Sequence, residues 1–433
     1  MKLSDDEFTL LQGGGGSFAV KVAGAGLSFG SQVALARILG AESFGVYVYA
    51  LNCAKIAVLI GTLGFSTASV RFVAEYISNE KWSLLKEYLR YSRRTTFILS
   101  IVVAVVFGTG AFLIYAPKNP EQAWTFAIAA VVIPLSVQMK VGSAELRGLK
   151  HVVRARLPKS VALPSVLVVA VFLSGGVLGL SPTGVVGMSG YVIAVAGAMG
   201  LIDWFRTRSL PARVAATGGY SMKGRRAYWL KTARDMVLIA GFNMILFRAD
   251  TIMVGALVNP EAAGIYNVGS KIAHLLLFGL IAVNTILSPI ASDLFSSGRT
   301  SELRNIVTRG AQASLAFSVV FIFCLLIFQN QVLKLFGEGF IEAKLAMWIL
   351  VGGQLVNAAV GPAVVLLNMT GNQRTSAWIL GGTSVVNISL NLFLIPLFGI
   401  EGAALSTAIS LVIWNSLSVW FSKKRIDILP IPI

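Results

Sequence analysis

"SVALPSVLVVAVFLSGGVLGLSPTGVVGMSGYVIAVAGAMGLI", Ser160 to Ile202, runs for 43 residues without one Asp, Glu, Lys or Arg. About 20 apolar residues are enough to span a bilayer. This stretch holds two such lengths, one on either side of Ser181-Pro182. In hydrocarbon every backbone N–H and C=O must be satisfied inside the protein, so a spanning segment is a helix or part of a closed barrel. Barrel strands alternate polar and apolar residues, and this run does not. It reads as two membrane helices joined by a short turn.

The same reading extends to the rest of the chain. Of its 433 residues 56% are hydrophobic and 13% charged, where a soluble domain carries about 25% charged residues. The fold class is an all-α polytopic membrane protein with about twelve spans. They fall near 16–38, 46–67, 95–115, 122–142, 160–180 and 185–204, then 235–257, 264–288, 311–329, 343–367, 375–397 and 401–421. Pro134, Pro164, Pro289 and Pro362 lie in or beside spans, where proline marks kinks. Gly26 and Gly30 form a G-x-x-x-G in the first span, a signature of close helix packing.

The net charge of +17 would suggest nucleic acid in a soluble protein. Here it marks one side of a membrane. Alternate loops carry 28 Lys and Arg, among them Arg90, Arg154, Arg225 and Arg304, while the opposite loops carry four, Arg37, Lys118, Lys334 and Lys344. Cytoplasmic loops are the basic ones. The expectation is a cell-membrane protein with both termini in the cytoplasm, an even number of spans and no nucleic-acid partner. The N-terminus, "MKLSDDEFTL", is acidic after Lys2 and precedes no small-residue cleavage site, so no removable signal peptide is expected. Cys53 and Cys324 sit singly in spans, outside any C-x-x-C pair, so neither a disulfide nor a metal site is expected.

The chain also repeats itself. "ESFGVYVYA", Glu42 to Ala50, returns as "EAAGIYNVG", Glu261 to Gly269, 219 residues later. At that offset Ser69 meets Ser288 and Arg90 meets Arg309. The turn alone explains the residue types, Gly ending one helix and Tyr anchoring the next at the interface. Duplication explains their recurrence. The expected organisation is an N-terminal six-helix half over 1–205, a basic cytoplasmic linker over 206–234 and a C-terminal six-helix half over 235–433. Six is even, so the halves are parallel repeats, an arrangement suited to a transporter that rocks one half against the other.

Catalytic motifs are absent from the sequence. There are two histidines, and no H-E-x-x-H, G-x-S-x-G or G-K-[ST] pattern. No cofactor and no enzymatic activity are expected. The short external loops leave no room for an acceptor-binding domain, which argues against a glycan-assembling membrane enzyme.

The informative residues are charges within spans: Lys21, Lys55, Arg248, Asp250, Lys271 and His274. A central Arg or Lys costs about 2.5 to 3.5 kcal/mol on insertion scales, so these residues should face a cavity or partners. All lie on the first two helices of a half, and at offset 219 Lys55 meets His274 while Lys271 meets Asn52. Lys21 near the cytoplasmic end and Lys271 in the outer third of its helix have snorkelling as an equal alternative. Lys55 and Arg248 lie too deep for that. Asp250 and His274 are candidates for ion coupling, Asp250 alternatively being a counter-ion to Lys271 or Lys55. Glu145 and Asp203, at cytoplasmic ends, read as cap or topology residues. A cationic cavity selects an anionic substrate, and phosphate or diphosphate fits the donors. A cation or drug exporter would need buried carboxylates instead.

"ALARILGAESFGVYVYA" and "RADTIMVGALVNPEAAGIYNVGSKIA" resemble the two signature segments of polysaccharide flippases of the O-antigen type, within the multidrug/oligosaccharidyl-lipid/polysaccharide exporter superfamily. "LFGEGF", Leu335 to Phe340, and "NMTGNQRTSAWI", Asn368 to Ile379, resemble its later segments. The resemblance implies two halves forming a V around a central cationic cavity. It further implies flipping of an undecaprenyl-diphosphate-linked oligosaccharide from the inner to the outer leaflet, for cell-surface polysaccharide or lipopolysaccharide assembly. Partners would be that lipid-linked anionic glycan, membrane lipids and other polysaccharide-assembly proteins. Where related lipid II flippases carry Arg-Asp in the first helix, this chain has Ser31 and Gln32. The site therefore rests on this chain's own residues: Lys21, Lys55, Arg248 and Lys271 for the diphosphate, with Gln32, Asn52, Gln354, Asn357 and Asn387 as sugar contacts. The alternatives are a multidrug or small-metabolite antiporter of the same fold, or a glycan-assembly enzyme.

Overall fold

The computed structural model describes residues 5–176, 179–216 and 223–430. Among them every regular element is helical: α1 (Asp5–Thr62), α2 (Phe65–Ser78), α3 (Trp82–Tyr115), α4 (Pro120–Gly148), α5 (Val152–Leu157), a π turn (Pro158–Ala162), α6 (Leu163–Gly176), α7 (Gly184–Ser209), α8 (Ala212–Ala216), α9 (Lys223–Leu257), α10 (Pro260–Leu275), α11 (Leu277–Ser296), α12 (Thr300–Lys334), a 3-10 turn (Glu338–Ala343), α13 (Lys344–Val360), α14 (Ala363–Met369) and α15 (Gln373–Ile426). Nine of the described helices are long and apolar enough to cross a membrane. Two of these, in α1 and α15, are broken by a glycine in a non-helical conformation, Gly40 (φ 73°) and Gly399 (φ 58°). Each of the two therefore carries a pair of expected spans. This is a multi-pass helical membrane protein.

The chain divides into two compact units, residues 1–241 and 242–433. In the first unit α1 stops at Thr62, five residues short of the expected span. Leu63 (φ 43°) and Gly64 (φ 78°) turn the chain into α2. A Cβ on Gly64 would lie 1.9 Å from the Ala233 carbonyl oxygen, so the backbone of α9 passes directly over this turn. The start of α9 falls within the region read as a linker, and it is packed. Trp229 is fully buried among Phe65, Phe72, Tyr76 and Tyr88, and its indole N–H donates to the Tyr76 hydroxyl at 2.7 Å. Arg226 pairs with the buried Glu87 at 2.5 Å.

Glu145 and Asp203 are not simple caps. Glu145 is fully buried, with Arg93 Nε and Arg206 Nη1 each 3.7 Å away. Asp203 bonds Arg93 and lies 3.4 Å from Arg206. The four charges join α3, α4 and α7, and a buried carboxylate is tolerated because two arginines flank it. The Gly26/Gly30 pair also behaves differently from its motif. A Cβ at either would meet nothing within 4 Å, whereas one on Gly24 would fall 2.6 Å from Ser160 Cβ. The close contact of the first helix is at Gly24, because only that face of α1 lies against the π turn.

In the second unit the expected span 264–288 is broken at Leu276, whose N–H steps back to Ala273 at 3.3 Å rather than to Ile272. The expected span 343–367 is broken at Gly361–Pro362. Proline has no N–H to continue a helix, and Gly361 (φ 65°) lies so close to Ala311 that a Cβ would meet it at 2.8 Å. The repeat persists through these breaks. Displaced by 219 residues, α3 falls on α12 to within a residue, and α7 falls on the second half of α15.

Long faces of α3 and α12 expose only apolar side chains, such as Ile98, Val102 and Val106 on one and Val320, Phe323 and Ile327 on the other. In water such surfaces would drive aggregation; in a bilayer they are solvated. Trp204 and Trp420 lie at helix ends, half exposed, beneath Arg208 (4.1 Å) and Lys424 (4.9 Å). That is the interfacial arrangement expected of tryptophan. Tyr47 and Tyr266, read as interface anchors, are instead buried at 0% and 1% exposure.

Candidate functional site

The second unit gathers polar groups in an apolar surrounding. Helix α9 supplies Arg248 and Asp250, two residues apart and so on different sides of the helix. Asp250 is 5% exposed. Its Oδ1 accepts from the Asn391 amide at 2.7 Å. Its Oδ2 accepts from the Tyr266 hydroxyl at 3.1 Å and from the Thr407 hydroxyl. Asn387, one turn before Asn391, accepts from it at 3.2 Å and donates to Thr407 Oγ1 at 3.4 Å. The break at Gly399 brings this about: it folds α15 back so that Asn391 and Thr407 converge on one carboxylate.

These partners are hydroxyls and amides. The sequence reading looked for a lysine beside Asp250; these bonds come from neutral donors. They satisfy the buried carboxylate locally without desolvating a second charge. A cavity of about 10 Å³, the room one water molecule needs, is bounded by Asp250, Tyr266, Ser270, His274, Gln354 and Thr407. His274 Nδ1 lies 2.6 Å from the Ser270 carbonyl. A carbonyl only accepts, so Nδ1 carries the proton and Nε2 is the nitrogen that changes protonation.

Beside this cluster is a cationic one. Arg248 and Lys271, both half-buried, are close enough to repel each other, and both act on His274. In a low-dielectric site such repulsion is strong, and an anion relieves it. Asn357 is half-buried and donates to Gln354 Oε1 at 3.3 Å, while Gln354 itself is 1% exposed.

Of the residues singled out in the sequence, the fold brings Arg248, Asp250, Lys271, His274, Gln354 and Asn387 into one neighbourhood of the second unit, with Asn357 on its edge. Lys55, Asn52 and Gln32 belong to the first unit. Lys55 and Gln32 are half-buried there, and Asn52 is buried with its amide on the Val48 carbonyl at 2.9 Å. The side chain of Lys21 lies outside the described residues. Sequence reading missed Tyr266, Ser270, Asn391 and Thr407 as members of the site. One signal was present: Asn387 and Asn391 are two amide side chains one turn apart in a membrane span without charges. Among the described residues no group of three or more His, Cys, Asp or Glu could hold a metal.

Comparison with known proteins gives this geometry its family. The family profile of polysaccharide biosynthesis proteins matches residues 10–295, and the MatE profile matches residues 237–393. Two Haloferax volcanii proteins are similar. The probable low-salt glycan biosynthesis flippase Agl15 is 23% identical over 95% of this chain and 83% of its own length. The probable flippase AglR is 27% identical over 51% of this chain, which spans 45% of AglR's length. Among solved structures, an inward-facing multidrug resistance MATE family transporter of the MOP superfamily superposes with a TM-score of 0.74 at 13% identity, over 93% of this chain and 94% of the other. The lipid II flippase MurJ, in an inward closed conformation, superposes with a TM-score of 0.68 at 15% identity, over 94% and 87%. These likenesses establish a two-lobe helical transporter fold. With two thirds of its sequence matched by one family profile, this chain belongs to the polysaccharide biosynthesis protein family.

Proposed function

We propose that the protein is a flippase that carries a diphosphate-linked glycan lipid across the cell membrane for surface polysaccharide assembly, and that it is not an enzyme. Undecaprenyl diphosphate is the carrier and O-antigen or exopolysaccharide the product. The observation that carries the proposal is the grouping of Arg248, Lys271 and His274 within apolar helices. Arg248 and Lys271 close together favour an anionic ligand, and a diphosphate offers oxygens suited to bidentate guanidinium contact. Lys55 and Lys21 complete the cationic set as the two halves alternate in access. Gln32 and Asn52 in the first unit and Asn357 in the second are the sugar contacts. Gln354 and Asn387 serve the carboxylate site.

Asp250 and His274 form the coupling pair. Asp250 takes up a proton or a monovalent cation among neutral oxygens, and His274 stands between that event and the cationic cluster. Family membership and the likeness to the flippases Agl15, AglR and MurJ support transport of a glycan lipid. The runner-up, an antiporter of small molecules, draws on the MATE likeness and on the buried Asp250. Both termini face the cytoplasm, in keeping with the basic loops.

The test is transport. In a deletion strain, the wild-type gene restores surface polysaccharide, while Lys55→Ala, Arg248→Ala leaves lipid-linked oligosaccharide at the inner leaflet at equal protein abundance. Full complementation by that double variant overturns the anion site. Export of a cationic dye with no effect on glycan would favour the runner-up.

A further inference from the structure

In the first unit a groove of about 650 Å³ opens between α3 and α4. Ile101, Val105, Gly108 and Phe112 line it from α3, and Ala127 and Pro134 are among its lining from α4. Its one hydroxyl, Thr109, is turned back onto the Val105 carbonyl at 2.6 Å, so nothing in the groove seeks a polar ligand. The floor is set by small residues: a Cβ on Gly108 would meet Ala130 Cβ at 2.9 Å. One end is closed by the edge-on pair Phe112 and Trp124, 5.4 Å between centroids.

Two further observations say what fills it. The first is charge. Arg94 is exposed and lies seven residues before Ile101 on the same stripe of α3, about 10 Å along the axis. From Ile101 to Leu113 the groove runs about 18 Å, more than half the thickness of the hydrocarbon core. A cation stands at the mouth of a long apolar channel, which is the complement of an anionic head on a long hydrocarbon chain. The second is asymmetry. In the repeat, Gly108 corresponds to Ile327 on α12, an exposed bulky residue. The glycine that sets the floor of the groove on α3 is thus replaced on α12 by a bulky side chain, so the repeat does not reproduce this floor.

We propose that this α3–α4 groove seats the polyprenyl chain of the transported lipid, with its phosphate end toward Arg94. The proposal rests on the glycan-lipid reading above and locates the tail. The chain then lies along the outside of the first unit, in contact with bilayer, while the head is handled elsewhere. Ordinary phospholipid acyl chains would wet both α3 and α12 without preference.

The full-length protein is reconstituted in phosphatidylcholine vesicles with a polyprenyl phosphate bearing a diazirine on its terminal isoprene. After photolysis, labelled peptides are mapped. Label is expected within 101–113 and 127–134, displaced by excess unlabelled polyprenyl phosphate and not by phosphatidylglycerol. The exposed face of α12 at Val320, Phe323 and Ile327 is the internal control. Ala127→Phe, which fills the groove from a half-buried lip, should lower labelling about tenfold, the equivalent of losing roughly two buried methylenes. Arg94→Gln should lower it with no change in fold. Equal labelling of α3 and α12, or displacement by phosphatidylglycerol, overturns the proposal. Transport of a glycan lipid by the same vesicles is measured in parallel. Transport with evenly spread label sinks the groove alone. Groove labelling without transport supports the groove and removes the flippase reading.

Discussion

Arg248 and Asp250 are two residues apart and have different neighbours, so their variants should separate. Arg248→Ala removes one charge-assisted contact to phosphate, about 1.5–3 kcal/mol, and should abolish complementation while membrane abundance stays normal. Arg248→Lys keeps the charge and loses the planar fork, so partial activity is expected. Asp250→Ala is a different injury. It strands the donors of Tyr266, Asn391 and Thr407 in a buried place, at about 1–3 kcal/mol for each left unsatisfied. The thermal midpoint in detergent should fall. Asp250→Asn keeps the size and part of the hydrogen bonding, so its midpoint should stay near wild type while ion-dependent transport stops. A large loss of midpoint in Asp250→Asn would show that the carboxylate is chiefly structural. Arg248 and Asp250 were legible in the sequence because a charge in a long apolar run is conspicuous. Tyr266 and Thr407 were not, since an uncharged residue shows its role only through the partner it meets.

At the scale of elements, glycines and one tryptophan decide how the helices are broken and held. Gly64 sits at φ 78° under the Ala233 carbonyl. Gly64→Ala combines a left-handed backbone with a steric clash against main chain, and should reduce the yield of folded protein more than Gly26→Ala, where a Cβ meets open space. Size-exclusion profiles of the two variants in one detergent compare them. Trp229→Ala should cost about 3–5 kcal/mol through the cavity alone, with the Tyr76 hydroxyl losing its donor besides. Trp229→Phe retains most of the packing and should recover most of the stability. The sequence supports the existence of the helices well and their ends poorly. Leu276 and Gly361–Pro362 lie within apolar runs that hydropathy reads as continuous, because hydropathy measures the solvent and is blind to where a backbone bond changes partner.

For the whole molecule the testable property is sidedness. With Cys53 and Cys324 replaced, single cysteines at Arg225 and Arg304 should resist a membrane-impermeant maleimide in intact cells, and one at Lys118 should react. Labelling at 225 from outside would reverse the orientation and with it the parallel-repeat argument. The membrane-spanning, all-helical character of the chain followed from composition alone, because 43 uncharged residues in a row have no other stable home. The recurring turn chemistry was legible too, and at the same offset of 219 the bounds of α3 fall on those of α12 to within a residue. Tertiary structure alone decided which polar groups meet. Asp250 with Asn391 and Thr407, and Arg93 with Glu145 and Asp203, are separated by 52 to 157 residues in the chain. Their pairing depends on which helix faces the fold turns together. A residue's own chemistry specifies that it must be satisfied when buried, and packing chooses the group that satisfies it.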